Sequence, residues 1–302
     1  MRIDRTAHPI RETRANALKP RRVCVQISGQ TSQISKSPTK DRFVRGSLDL
    51  IRSTLTLFAR GFFKEVDGER YSVVLPEALF SPWRVDADFR RTYDRIAPHT
   101  LVDIYRCYEL WQLVDQLAPR GGHILEVGVW RGGTGCLLAS LAQVINNDVE
   151  VFLCDTFKGI VKAGEHDGYK AGELADTSKE VVEALASELG LRNVRILEGI
   201  FPEETAHLIE AGEFGLCHID VDVYQSARDA AEWVWPRLQV GGVIVFDDYG
   251  FAKSGGVARY VDSLAGRNGL IRLHNLNGHG LIIKTSAGTL PGEADMAKSA
   301  AR

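Results

Sequence analysis

The chain has 302 residues, 44% hydrophobic and 25% charged, with a formal net charge of -2 at pH 7. That is the balance of an ordinary soluble globular protein. So small a charge gives no bulk field toward nucleic acid or a membrane surface, and no stretch approaches the roughly 20 apolar residues that span a bilayer.

The length suits one large domain or two small ones. The N-terminus lacks the apolar core of a signal peptide. Five cysteines, Cys24, Cys107, Cys136, Cys154 and Cys217, are scattered without a C-x-x-C pair. They read as reduced thiols of a cytoplasmic protein, not as a disulfide framework or a zinc site.

In chain order, residues 1–45 are basic and polar with little apolar periodicity and read as a disordered tail. Residues 46–120 form an N-terminal helical and lid region. Within it, 47–63 has amphipathic helical spacing, the aromatic stretch 64–99 suits a cap over a site, and 100–118 is helical. From 121 to 286 strand and helix alternate. Strands are expected at 123–127, 150–154, 193–197, 214–219 and 242–246. Helices are expected at 133–145, 177–189, 202–211, 224–237 and 256–265. Asp176-Thr177-Ser178 followed by Glu180 is a helix start, and Gly190 a helix stop. Such alternation implies a doubly wound, mostly parallel sheet. Two further runs, 270–274 and 280–284, flank Asn277-Gly278 and predict an antiparallel hairpin at the sheet edge. Residues 287–302 read as a disordered tail.

Three strand ends carry the chemistry. The first is Glu126-x-Gly128-x-x-x-Gly132, a strand leading through a glycine turn into a helix. Gly128 and Gly132 let backbone approach a nucleotide-like ligand, and Glu126 sets a carboxylate near the strand end where open α/β sheets bind ligands. Asp155 closes the second strand, roughly 25 residues on, and suits a ribose hydroxyl. The third group is His218-Ile219-Asp220-Val221-Asp222 together with Asp247-Asp248, at the ends of the fourth and fifth strands. Parallel neighbours lie about 4.8 Å apart, so these ends meet. Clustered carboxylates repel unless a cation compensates, and oxygen-only ligands suit Mg²⁺, Mn²⁺ or Ca²⁺. A divalent ion there lowers the pKa of a bound hydroxyl, and one aspartate takes its proton. His218 is the one histidine whose position beside the acidic pair points to a role; His279 in the hairpin turn reads as structural or surface.

These segments resemble the macrocin O-methyltransferase family. The matching stretches are Glu126 to Gly132, Asp155-Thr156-Phe157-Lys158-Gly159, Asp220-Val221-Asp222-Val223-Tyr224 and Val245-Phe246-Asp247-Asp248-Tyr249-Gly250, within residues 100–284. The resemblance implies a Rossmann-like class I methyltransferase fold, with an antiparallel hairpin edge and an N-terminal helical cap. It implies S-adenosylmethionine and Mg²⁺ as cofactors and a sugar hydroxyl of a natural product as acceptor. It implies Asp220, Asp247 and Asp248 as metal ligands, Asp220 also as general base, and Glu126, Gly128, Gly132, Asp155 and Thr156 as cofactor contacts. Thr100, Val102 and Arg106 match a segment that approaches the cofactor in the family. The chain departs from the family's pattern in the loop after Asp155 and at Val221, where glycine is usual. The expected partner is a small-molecule hydroxyl acceptor, with no nucleic acid or membrane, and the family's habit allows a homo-oligomer.

Two other readings fit parts of the pattern. A nucleotide-sugar glycosyltransferase uses Asp-x-Asp after an apolar strand to hold a metal-bound diphosphate, but it does not need the glycine turn. A non-catalytic S-adenosylmethionine-binding module needs the turn but not the carboxylates.

Overall fold

The structure, a computed structural model, describes residues 78–288 apart from His166 and Ala211, together with Val74 and Leu290. The basic tail 1–45, the helix expected at 47–63 and nearly all of the tail 287–302 lie outside the described residues. Seven strands form one sheet: β1 (His123–Val127), β2 (Val151–Asp155), β3 (Val194–Glu198), β4 (Phe214–Ile219), β5 (Leu238–Phe246), β6 (Leu270–His274) and β7 (Gly280–Lys284). The spatial order is β3-β2-β1-β4-β5-β7-β6. The first five strands pair in parallel, and β7 pairs antiparallel with both β5 and β6. Strand order reverses between β1 and β4, and an open α/β sheet has its ligand crevice at such a reversal.

Among the described residues, six α-helices cover the sheet: α1 (Ala87–Ile96), α2 (Ile104–Leu117), α3 (Gly133–Ile145), α4 (Lys179–Glu188), α5 (Tyr224–Val234) and α6 (Gly255–Ser263). Successive strand side chains point to opposite faces. Leu125, Phe152, Cys217 and Ile244 therefore pack with Ala227, Ala231 and Val261 of α5 and α6. Their neighbours Ile124, Val151, Leu216 and Val243 pack with Leu110, Leu138 and Val182 of α2, α3 and α4. Burial on both faces explains why the strands are continuous apolar runs. Among the described residues, no helix is long and apolar enough to cross a membrane.

Several elements differ from the sequence expectation. No α-helix forms at 202–211; only the turn Ala206–Leu208 is helical. Glu204 turns back to accept from the Ile200 N–H at 2.8 Å, and Thr205 is buried, so local side-chain bonds fix a loop there. β5 begins at Leu238, not 242, because Gly241 at φ +81° carries the chain through an irregularity in the β4–β5 register. α5 stops at Val234, and a short 3₁₀ turn carries Pro236. The aromatic stretch 64–99, for which no helix was expected, contains α1, capped by Asp86 accepting from the Phe89 N–H at 3.0 Å. Phe89 packs edge-on against Tyr108 and Trp111, so α1 covers the outer face of α2 and α3. Gly190 does stop α4: it lies at φ +70°, and Leu191 N–H reaches back to the Ala186 carbonyl.

The four described cysteines, Cys107, Cys136, Cys154 and Cys217, are free and buried. Burial pushes the Cys136 thiol up to about 12, and the other three rise as well for the same reason. Thiolate is the reactive form. At pH 8 the folded chain therefore leaves these four unmodified by iodoacetamide, while the denatured chain reacts at all of them. Peptide mass spectrometry reads the difference, and a native-state label on any of the four contradicts the packing.

Candidate active site

The ends of β1, β2, β4 and β5 open into a cleft of about 390 Å³. That volume is within the range of small-molecule sites, roughly 300–1,000 Å³. Gly128, Asp155, Thr156, Asp220, Asp247 and Asp248 line it; Glu126 and Gly132 do not.

The glycine turn is built from several directions. Gly128 lies at φ +85°, and a Cβ there would sit 1.7 Å from the Asp220 carbonyl oxygen. Glycine is thus needed where the β1 turn crosses the end of β4. Asp155 holds the same turn: its Oδ2 accepts from the N–H groups of Val129 and Trp130 at 2.6 and 2.8 Å. Its Oδ1 accepts from Phe157 N–H at 2.7 Å and keeps one lone pair for a ligand. Gly132 is the N-cap of α3, also at φ +85°, and its missing side chain makes room for Val182 of α4. Thr156 Oγ1 is spent locally, donating to the Gly159 carbonyl and accepting from Lys158 N–H.

Glu126 takes a different place from the one its motif implies. It is fully buried behind the cleft, with Oε1 2.8 Å from His218 Nδ1. Its Oε2 has no hydrogen-bond partner among the described residues and fits against Gly135, where a Cβ would come within 2.4 Å. The cause is strand alternation: Glu126 and His218 are register partners on β1 and β4, so their side chains share one face.

The acidic residues converge. Asp220, Asp247 and Asp248 each offer an oxygen within 4.8 Å of the others. β4 ends at Ile219, so Asp220 and Asp222 belong to the turn beyond it, with Asp222 at φ +64°. Asp222 N–H donates to Asp248 Oδ2 at 2.9 Å, and Ser254 Oγ lies within 3.3 Å of both carboxylates.

Their charges are unevenly compensated. Asp247 faces three basic side chains. Arg106 donates to its Oδ2, His279 Nε2 lies 2.9 Å from its Oδ1, and His218 Nε2 lies 3.4 Å away. Burial alone would raise the Asp247 carboxyl, yet the two histidines and Arg106 hold it below the usual range. Burial likewise disfavours a charged His218, but the flanking Asp247 and Glu126 raise it to about 10. Among the described residues, no basic side chain pairs directly with Asp220 or Asp248, although His218 and Arg106 partly offset the shift at Asp220. Burial, then the charge of Asp247, drives Asp220 well above its ordinary value; burial, then Asp220, does the same to Asp248. The deficit of positive charge thus lies between Asp220 and Asp248. His218, Asp247 and His279 also lie close enough to share an ion. Each of those rings, however, already meets carboxylates at both nitrogens, and that arrangement is balanced without a metal.

Sequence reasoning missed three residues. Tyr169 lines the cleft from the loop after β2 and donates to Asp222, with Lys253 Nζ 3.6 Å from its ring centroid. Glu109 and His279 meet at 2.8 Å although 170 residues separate them. No local signal marks any of the three.

The sequence pattern of the family described as macrocin O-methyltransferase (TylF) matches residues 76–272. The chain belongs to that family. It is an S-adenosylmethionine-dependent O-methyltransferase with the class I fold, and the glycosyltransferase reading gives way to this one. The methyltransferase is 31% identical over 185 residues to the 8-demethyl-8-(2,3-dimethoxy-alpha-L-rhamnosyl)-tetracenomycin-C 4'-O-methyltransferase of Streptomyces olivaceus, covering 54% of this chain and 68% of that one. It is 31% identical over 166 residues to the demethyldecarbamoylnovobiocin O-methyltransferase of Streptomyces niveus, covering 50% and 62%. It is also similar to the solved structure of the O-methyltransferase NovP, with 27% identity and a TM-score of 0.51, covering 62% of this chain and 82% of that one.

Proposed function

We propose that this methyltransferase transfers a methyl group to a sugar hydroxyl of a glycosylated natural product and uses a divalent metal ion to do so. The observation that carries the metal is the cluster of Asp220, Asp247 and Asp248 opening into the same cleft as the glycine turn. The donor set is oxygen only, which suits Mg²⁺. Asp220 and Asp248 are only weakly compensated, and Asp247 adds a fixed, ionised carboxylate. The relatives named above, by their names, methylate a rhamnosyl tetracenomycin and demethyldecarbamoylnovobiocin.

When bound, Mg²⁺ lowers the pKa of an acceptor hydroxyl. The chain's own residues do the rest. The turn Gly128–Trp130, held by Asp155, sets the cofactor against the end of β1. Asp220, which lines the cleft, accepts the hydroxyl proton. The acceptor oxygen forms a bond to the methyl carbon as the carbon–sulfur bond breaks, leaving a methyl ether and S-adenosylhomocysteine. Ile160 and Phe251 give the cleft apolar walls, which would limit water around a sulfonium held there.

Titration calorimetry with S-adenosylhomocysteine, then Mg²⁺, tests cofactor and metal. Transfer of labelled methyl to a rhamnosyl glycoside, with and without EDTA, tests the reaction. We expect both ligands to bind and EDTA to abolish transfer. EDTA-insensitive transfer removes the metal. Transfer to phenols but not to any glycoside removes the sugar.

A further inference from the structure

We infer that the Glu109–His279 pair is a positioning device for Asp247, setting that carboxylate for the metal ion it shares with Asp220 and Asp248. The inference rests on the metal reading proposed above. His279 sits at the end of the β6–β7 turn, fully buried, with Nε2 2.9 Å from Asp247 Oδ1 and Nδ1 2.8 Å from Glu109 Oε2. Carboxylates at both nitrogens of the imidazole fix the ring's orientation. Here the near nitrogen grips a candidate ligand instead of the ion itself. The other oxygen of Asp247 is held by Arg106. Both oxygens are thus in contact with a held side chain, which restricts the directions left for an ion.

The surroundings lock this arm in place. Asn277 Nδ2 donates to the same Glu109 Oε2 at 3.0 Å, so α2 and the hairpin turn are tied twice. Gly278 lies against Phe251, where a Cβ would come within 2.7 Å of the ring, and Arg106 stacks over that ring at 4.7 Å. Hairpin turn, α2 and the segment after Asp248 therefore interlock around Asp247. A sheet edge does not need this: a hairpin packs as well on an apolar residue, and burying charge for stability alone is often unfavourable. The arrangement makes sense if the position of Asp247 has to be held.

The test is calorimetric titration of Mg²⁺ into the full-length chain saturated with S-adenosylhomocysteine. The variants are Glu109→Gln, His279→Gln and the two combined. We expect each single variant to weaken Mg²⁺ binding by about tenfold or more, the range for residues that orient metal ligands. S-adenosylhomocysteine affinity stays within twofold, which separates the effect from general loosening. The double variant binds Mg²⁺ no more weakly than His279→Gln alone, because Glu109 acts only through His279. Should His279→Gln fail to fold, Glu109→Gln, which keeps an acceptor for the ring, decides the matter by itself. Unchanged Mg²⁺ affinity in Glu109→Gln, or additive losses in the double variant, overturns the inference and leaves the metal reading standing. A wild-type chain that binds S-adenosylhomocysteine but no Mg²⁺ overturns both.

Discussion

Replacing Asp220 with asparagine lowers methyl transfer by about 10²–10⁴-fold, the usual contribution of a positioned general base, and leaves S-adenosylhomocysteine affinity within twofold. The substitution is nearly isosteric, and the Asp220 backbone keeps its place: its N–H donates to the Val127 carbonyl at 2.9 Å, and its own carbonyl lies in the space that Gly128 leaves free. The glycine turn and the Asp155 staple are untouched, so the cofactor half of the cleft survives. The proton acceptor is lost, and with it one charged oxygen of the proposed metal site; Mg²⁺ titration of the variant separates the two losses. Single-turnover transfer from labelled S-adenosylmethionine, beside a binding titration, reads the two effects separately. A variant that transfers methyl at the wild-type rate removes Asp220 as the base. A wild-type chain that binds the cofactor product but methylates nothing across an acceptor panel favours the non-catalytic binding module.

How much of this was legible depends on how local each feature is. β1, β4, β6, β7 and α3 fall at the expected boundaries because short apolar runs end at glycine turns or acidic strand ends. The Asn277-Gly278 turn likewise announced its hairpin. Residues 202–211 have helical composition, but Glu204 bonds to the backbone before them, and a local bond of this kind outweighs weak helix propensity. α1 was hidden by its charged outer face, although Asp86 before Phe89 is a capping signal that could have been found.

At the site, the aspartates were legible because each stands at a strand end in its own short motif. Glu126 was not, since a motif gives the spacing of a carboxylate but not the face on which it lies. Its register partner His218 settles that face, and register is not written in either segment alone. The Glu109–His279 contact joins the second helix to the last hairpin, and nothing nearby in sequence prefigures it. The structure also gives Asp155 a second task the sequence did not show: three of its acceptor sites hold the turn itself.

The same charge map predicts opposite stability effects for adjacent residues. In metal-free protein, Asp247→Ala costs about 3–5 kcal/mol, the range for breaking a buried ion pair, because it removes the carboxylate that Arg106, His218 and His279 share and leaves each with one acidic partner beside a void. For a domain of this size that lowers Tm by roughly 6–20 °C. Asp248→Asn does the reverse. The ionised Asp248 is opposed by burial and by Asp220, Asp222 and Asp247, whereas an asparagine oxygen still accepts the Asp222 N–H. Its metal-free Tm therefore equals or exceeds that of the wild type. Saturating Mg²⁺ changes the order: the wild type gains stability by binding, as any ligand of the native state confers, and Asp248→Asn gains little. Thermal unfolding of the three proteins in EDTA and in Mg²⁺ checks this. Asp248→Asn is also the better variant for probing metal affinity, since Asp247→Ala confounds lost ligation with lost folding. If instead Asp248→Asn destabilises the metal-free chain as much as Asp247→Ala does, these carboxylates are already compensated within the protein, and the electrostatic case for a cation between Asp220 and Asp248 fails.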